Sequence, residues 1–289
     1  MEIKAFFDKQ TFTMTYVLSD RQSGDAVVID PVLDYDQASS STSTGSVQVV
    51  TDYLKSSGLN PLFIMETHAH ADHLSGSQVL KEAYPQAQVG IGKRITEVQR
   101  TFKGLFNLGE DFPTDGSQFD RLFEDEETVQ AGSLSFRVIN TPGHTPADVS
   151  YLFGDALFTG DTMFMPDGGT GRCDFPAGSA EDLYDSITRR LYALPDETRV
   201  FVGHDYQPGG RELRYQTSIG EAKRENVQLP QGRSREEFVE FRKSRDSTLS
   251  APRLIFPSVQ VNIDAGRLPA PSSNNVRYLK IPLNLFARS

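Results

Sequence analysis

At 289 residues, with a formal net charge of −10 and 24% charged residues, the chain has the size and make-up of one large soluble domain with an ample core and at most a small appendage. The acidic balance, with no Lys/Arg-rich run, argues against a nucleic-acid partner, whose phosphates need a concentrated basic surface. No stretch approaches the ~20 consecutive apolar residues of a membrane span.

Met1 to Phe7 mixes charged with apolar residues and lacks the apolar core of a signal peptide. The one cysteine, Cys173, cannot form an internal disulfide, which fits a reducing compartment. The expectation is a soluble, cytoplasmic protein.

Aromatic and β-branched residues predict strands over 2–7 and 12–18, and a buried strand over 26–29 runs into Asp30-Pro31. The Ser/Thr/Gly-rich run 39–46 is expected to be a mobile loop. Residues 47–54 show helical spacing closed by Gly58, and Pro61 opens a strand over 62–65 that leads directly to Thr67-His68. A helix over 78–83, a strand over 88–91 and a helix over 94–106 follow, and acidic 110–127 reads as an exposed insertion.

Strands resume at 133–139, 149–153 and 156–158. Leu183, Ile187, Leu191 and Leu194 share one helical face, with Ser179 and Asp182 as a capping box. A short strand over 199–202 ends at Gly203-His204, a helix spans 236–245, and 252–289 is expected to be largely extended and Pro-punctuated, so that 230–289 forms a helical and extended segment. The order is that of an α/β domain over 1–229 with a C-terminal segment, 230–289, that packs on its own body or on a neighbouring copy, leaving a homo-oligomer open.

All five histidines, His68, His70, His73, His144 and His204, fall in short segments at or just beyond strand ends. These segments are Thr67-His68-Ala69-His70-Ala71-Asp72-His73, Thr141-Pro142-Gly143-His144-Thr145 and Val202-Gly203-His204-Asp205-Tyr206, while a fourth strand end supplies Gly160-Asp161-Thr162. Loops at strand ends are where α/β proteins build their sites, and a tight loop can turn several imidazoles and a carboxylate toward one point. A lone histidine is more often a hydrogen-bonded core or surface residue; the set together points to metal.

The His-x-His-x-Asp-His loop, followed by Gly-His-Thr, Gly-Asp-Thr and a late Gly-His-Asp, resembles the metallo-β-lactamase superfamily over residues 6 to about 229. That resemblance implies a four-layered αβ/βα sandwich with metals at one edge between two sheets. Gly171-Arg172-Cys173-Asp174-Phe175 is similar to the Gly-Arg-x-Asp-Phe signature of the persulfide dioxygenase (sulfur dioxygenase) branch, where glyoxalase II enzymes show Gly-Arg-x-Phe-Glu. His204-Asp205-Tyr206 matches the same branch, and Pro257-Ser258-Val259-Gln260-Val261-Asn262-Ile263 with Gly266-Arg267-Leu268-Pro269 resembles its bacterial subgroup.

The resemblance implies one Fe(II) per chain on His68, His144 and Asp161, the two-imidazole, one-carboxylate set of non-haem iron oxygenases. His70, Asp72, His73 and His204 would then orient those ligands, although a two-zinc hydrolase would use the same groups to hold a second ion. The implied reaction oxidises a thiol persulfide, glutathione persulfide first among them, with O₂ and water to sulfite. The rival is a glyoxalase II-like binuclear zinc hydrolase of glutathione thioesters; a non-enzymatic metal-binding relative and a nuclease stand further off.

Arg172 is the candidate grip on a substrate carboxylate, or else a structural partner of Asp174. Tyr206 is expected either to hydrogen-bond near the metal or substrate, or to pack with its hydroxyl satisfied. Cys173 reads first as a small buried hydrophobe, with a persulfide-carrying thiol as the other option, and Phe164 and Phe175 as core or pocket wall.

Overall fold

The computed structural model describes residues 1–285. The chain opens with strands β1 (Glu2–Asp8), β2 (Thr13–Ser19), β3 (Asp25–Ile29), β4 (Val32–Asp36) and β5 (Ser41–Ser43). It continues through α1 (Gly45–Ser56), β6 (Asn60–Met65), β7 (Leu74–Ser75), α2 (Ser77–Ala83), β8 (Gln88–Gly92), α3 (Ile95–Leu105) and β9 (Arg121–Phe123). The second half brings β10 (Thr128–Ala131), β11 (Leu134–Asn140), β12 (Val149–Phe153), β13 (Ala156–Phe158) and α4 (Ala180–Asp185), which runs on into a π-helical turn, Ser186–Leu191. Then come β14 (Arg199–Phe201), β15 (Gln216–Ser218), α5 (Ile219–Glu225), α6 (Arg235–Asp246) and α7 (Ile255–Asn262).

Two six-stranded sheets result, ordered β1-β2-β3-β6-β8-β9 and β10-β11-β12-β13-β14-β15, beside a small sheet β5-β4-β7. Side chains alternate faces along a strand, so β2 divides its residues. Met14, Tyr16 and Leu18 enter the core between the large sheets, where they meet Phe136, Tyr151, Phe158 and Phe201. Val17 points the other way, into an outer core with Val50, Leu54, Phe102 and Val259. The opposite sheet's outer face packs Leu157 and Val200 on Leu183, Ile187 and Phe238. Helices outside, sheets inside: this is the four-layered αβ/βα sandwich.

Strand direction decides where the site lies. β3 and β6 are parallel neighbours, so both end at the same edge of the first sheet. In the second, β13 and β14 are parallel, and β11 is reversed twice through β12, so it runs in their direction too. The loops after β3, β6, β11, β13 and β14 therefore share one edge. Backbone bonds sew the sheets together there: Val149 N–H donates to Thr67 O at 3.0 Å and Met14 N–H to Gly203 O at 2.8 Å.

Three expectations are corrected. The run 39–46 contains β5, hydrogen-bonded to β4 as a short exposed hairpin, because paired backbone groups need no apolar sequence. The stretch 110–127 is not wholly exposed: Phe119 and Phe123 are buried, and β9 closes the edge of the first sheet beside β8. Within 252–285, α7 replaces the expected extended chain; residues 286–289 lie outside the described residues. Pro257 does not bar α7, since it stands in the first turn, where an N–H has no helical acceptor to lose. Of the capping box at Ser179, one half forms, Asp182 N–H donating to Ser179 Oγ.

Candidate metal centre

The loop after β6 is built on buried carboxylates. Asp30 accepts from Thr67 N–H at 2.7 Å and from the Thr67 hydroxyl at 2.8 Å, and its Oδ1 lies 3.0 Å from His70 Nε2. Glu66 Oε2 is 3.2 Å from the same nitrogen. Burial opposes a charge on His70, but Asp30 and Glu66 prevail and raise its pKa well above the usual imidazole range. Asp30 answers in kind: burial would raise its carboxyl, and His70 with the Thr67 donors holds it below the ordinary value.

His68 differs. Burial first, then the neighbouring His70 and His144 rings, push its pKa well below the ordinary value, so it is neutral and keeps a lone pair. Its Nδ1 is 3.0 Å from the Thr67 hydroxyl.

His144, from the loop after β11, has Nδ1 2.7 Å from the backbone carbonyl of Arg172. A carbonyl only accepts, so Nδ1 carries the proton and Nε2 is left with its lone pair. That Nε2 lies 3.6 Å from Asp161 Oδ2, and the His68 and His144 rings meet edge to face at 5.0 Å. Gly171 is required where it stands, because a Cβ there would come 2.0 Å from the carbonyl oxygen of Asp161. His204 Nε2 is 3.3 Å from both Asp72 Oδ2 and Asp161 Oδ1, and His73 Nδ1 is 3.1 Å from Asp72 Oδ2. Burial would raise Asp72, yet His204 and His73 hold its carboxyl well below the usual range.

His68, His144 and Asp161 each bring one ligand atom within 4.8 Å of the others; Asp72, Asp161 and His204 form a second such group, and His70, Asp72 and His73 a third. Among the buried atoms with no hydrogen-bond partner are His68 Nε2, His70 Nδ1, His73 Nε2, Asp161 Oδ1 and His204 Nδ1. An unpaired buried polar atom costs about 1–3 kcal/mol, so such atoms are rare and seldom gathered. Imidazole nitrogens and carboxylate oxygens concentrated in one place are what a metal ion satisfies. The donor set fits.

Two adjoining cavities, of about 700 and 380 Å³, share Ala71, His144, Arg172, Leu249 and Pro252. Asp161, Asp72, Phe164 and Tyr206 line the smaller, Cys173 and Phe175 the larger. The Arg172 guanidinium is engaged by Asp174 at 2.5 and 2.6 Å and by the Ser250 carbonyl at 2.9 Å. Tyr206, 52% exposed, stacks on His204 with ring centroids 5.5 Å apart. Sequence reasoning passed over four contributors. Asp30 and Glu66 had one legible signal, an acidic residue at each of two neighbouring strand ends. Exposed Arg245 and Arg253, at the mouth of the smaller cavity, had none.

The chain belongs to the metallo-β-lactamase superfamily: the family model matches residues 9–204. It is 47% identical over 284 residues to a Dictyostelium discoideum protein named Glyoxylase B2, covering 98% of this chain and 97% of that one. The mitochondrial persulfide dioxygenase ETHE1 of Bos taurus is 33% identical over 206 residues, 71% of this chain and 68% of its own. Among solved structures, ETHE1 from Myxococcus xanthus superposes with a TM-score of 0.74 at 35% identity, covering 92% of this chain and 100% of that one. No helix among the described residues is long and apolar enough to cross a membrane.

Proposed function

We propose that the protein is a persulfide dioxygenase that oxidises glutathione persulfide at a single non-haem iron(II) held by His68, His144 and Asp161. The observation that carries this reading is that buried two-imidazole, one-carboxylate set, with His144 oriented by the carbonyl of Arg172 inside the Gly-Arg-x-Asp-Phe segment. The likeness to persulfide dioxygenases in sequence and structure supports it.

In the overall change, glutathione persulfide, O₂ and water become glutathione, sulfite and two protons. The outer sulfur gains three oxygens, two from O₂ and one from water; the S–S bond breaks and its electron pair stays on the thiol sulfur. Ferrous iron, when bound, supplies the redox chemistry that lets ground-state O₂ react with the persulfide. The chain supplies position. Neutral His68 and the Nδ1-protonated His144 present lone pairs inward, and Asp161 adds charge. Phe164 and Phe175 form apolar wall beside them. Tyr206 on His204 orients the substrate, and Arg172 forms the inner wall.

Arg245 and Arg253 suit the two carboxylates of a tripeptide thiol, since neither guanidinium donates a hydrogen bond or forms an ion pair within 4 Å among the described residues. His70, Asp72, His73 and His204 would orient the ligands of that iron.

A second reading rests on the Asp72, Asp161 and His204 group, which shares Asp161 with the first and would hold a second ion, and on the likeness to the protein named Glyoxylase B2. That reading is a binuclear zinc hydrolase of glutathione thioesters. Metal analysis of the purified protein, run beside O₂ uptake with glutathione persulfide and hydrolysis of a glutathione thioester, separates them. One iron per chain with O₂ uptake is expected. Two metals per chain with thioester hydrolysis and no O₂ uptake would sink the dioxygenase.

A further inference from the structure

The loop that carries His68, His70 and His73 lacks a backbone ladder. Among the described residues, 68–73 make no backbone–backbone hydrogen bond outside regular elements, and the loop lies between β6 and the two-residue β7. One side chain takes the place of that ladder. Asn262, at the end of α7, donates from Nδ2 to the carbonyls of His70 and His73, both at 2.8 Å, and its Oδ1 accepts from Ser75 N–H at 2.8 Å. It is 4% exposed, and no other described side chain bonds the backbone of 68–73.

The chemistry selects asparagine. Three backbone groups, two acceptors and one donor, must be met from one point, and only a carboxamide offers two N–H donors and an acceptor in one plane. Aspartate has no donor, and alanine leaves all three groups buried and unpaired. α7 is itself anchored: Ile255 and Val259 are in the outer core, Gln99 donates to Ile263 O at 2.9 Å, and Gln78 to Ala265 O at 2.7 Å. The hold reaches the His70 ring as well, because Ser75 Oγ donates to Glu66, whose other oxygen faces His70 Nε2.

We infer that Asn262 is a positioning residue of the metal centre, locking the backbone of the His68–His73 loop so that metal affinity depends on α7. This rests on the loop holding metal, not on which reaction the metal serves. Groups that orient ligands typically cost 10–100-fold in metal affinity when removed.

The test is Co(II) binding by the whole chain in competition with a chelator, for N262A, N262D and a control, V259A. Val259 is fully buried one turn earlier in α7, and its apolar side chain makes no hydrogen bond to the loop. Both Asn262 variants are expected to bind Co(II) about 10–100-fold more weakly. V259A is expected to lower the melting temperature of the metal-free protein while keeping wild-type affinity. Wild-type affinity in both Asn262 variants overturns the inference, and so does an equal loss in V259A. Should the Asn262 variants not fold, hydrogen exchange of the wild type decides: protection of the Ser75 amide matching that of the α7 amides supports the clamp, and exchange at open-loop rates refutes it.

Discussion

The two rims of the metal centre meet at one edge but differ in how much of their hold is side chain and how much is backbone. The first-sheet loop, 67–75, hangs on side chains: Asp30, Glu66 and Asn262 supply its fixed points. The second-sheet loops lean more on backbone brought into close approach, with Asp148 gripping the Thr145 N–H and hydroxyl as their carboxylate tie. Gly203 N–H donates to Gly160 O at 3.1 Å, the carbonyl of Arg172 fixes His144, and Gly171 lies against Asp161 with no room for a Cβ. A loop tied by side chains fails when polar atoms are removed; a loop tied by close backbone fails when atoms are added.

The largest effect is expected where the rims join. Asp161 belongs to both the His68–His144 group and the Asp72–His204 group, so Asp161→Ala removes a ligand from either arrangement. Bound iron and O₂ uptake should be lost together, measured by metal analysis and an oxygen electrode. Full iron content in Asp161→Ala would show the ligand assignment to be wrong.

Next comes the first rim. Asp30→Asn keeps a side chain that tolerates the φ of +51° at this position but removes the charge that faces His70. Breaking a buried ion pair by removing one partner costs about 3–5 kcal/mol, and denaturant unfolding should report a loss near that range. The pH dependence has a definite sign. Asp30 is depressed in the fold, so its contribution is present above its ordinary 3.8 and is lost as pH falls through the folded value. His70 is raised, so its contribution is full below its ordinary 6.5 and is lost as pH rises through the folded value. The gap between wild type and Asp30→Asn is therefore widest between pH 3.8 and 6.5 and closes on both sides. A gap constant with pH would mean that charge is not what Asp30 contributes.

The second rim is probed by adding a methyl group. Gly171→Ala drives a Cβ into the Asp161 carbonyl, and overpacking of this kind costs about 1–3 kcal/mol. Because His144 and Asp161 both border Gly171, metal affinity should fall with stability. Gly104→Ala in α3 is the counterpart, with nothing within 4 Å of the new Cβ, and there a gain of about 0.4–1 kcal/mol is expected. Equal outcomes for the two glycines would remove the distinction between the rims.

The same distinction explains what could be read from sequence alone. All five histidines, Asp72 and Asp161 were visible because metal-ligating residue types gathered at strand ends are informative as a set, and the structure brings them to one edge. Most strands were visible because inward-facing residues of β2 or β12 carry their burial in composition. The supporting groups were not. Asp30 and Glu66 look like ordinary polar strand ends until β3 and β6 are known to be parallel neighbours. α7 read as extended because Pro257, a helix breaker in general, is harmless in a first turn, and Asn262 gave no sign of a partner some 190 positions earlier. Local pattern reports residue type and face; it does not report pairing across the chain.

Cys173 is the smallest expected effect and a check on the second rim. It stands between Arg172, whose carbonyl holds His144, and Asp174, and its own N–H donates to Asp246 at 2.8 Å. What Cys173 itself contributes is thus its backbone N–H, held by the Asp246 carboxylate. The thiol is half-buried among apolar neighbours, and burial pushes its pKa up, away from the thiolate that nucleophilic or persulfide-carrying sulfur requires. Cys173→Ala is accordingly expected to retain iron and O₂ uptake, and iodoacetamide at pH 8 should label the folded protein far more slowly than the unfolded chain. Rapid labelling with parallel loss of activity would make the sulfur itself a participant in the site rather than a neighbour of the residues that hold it.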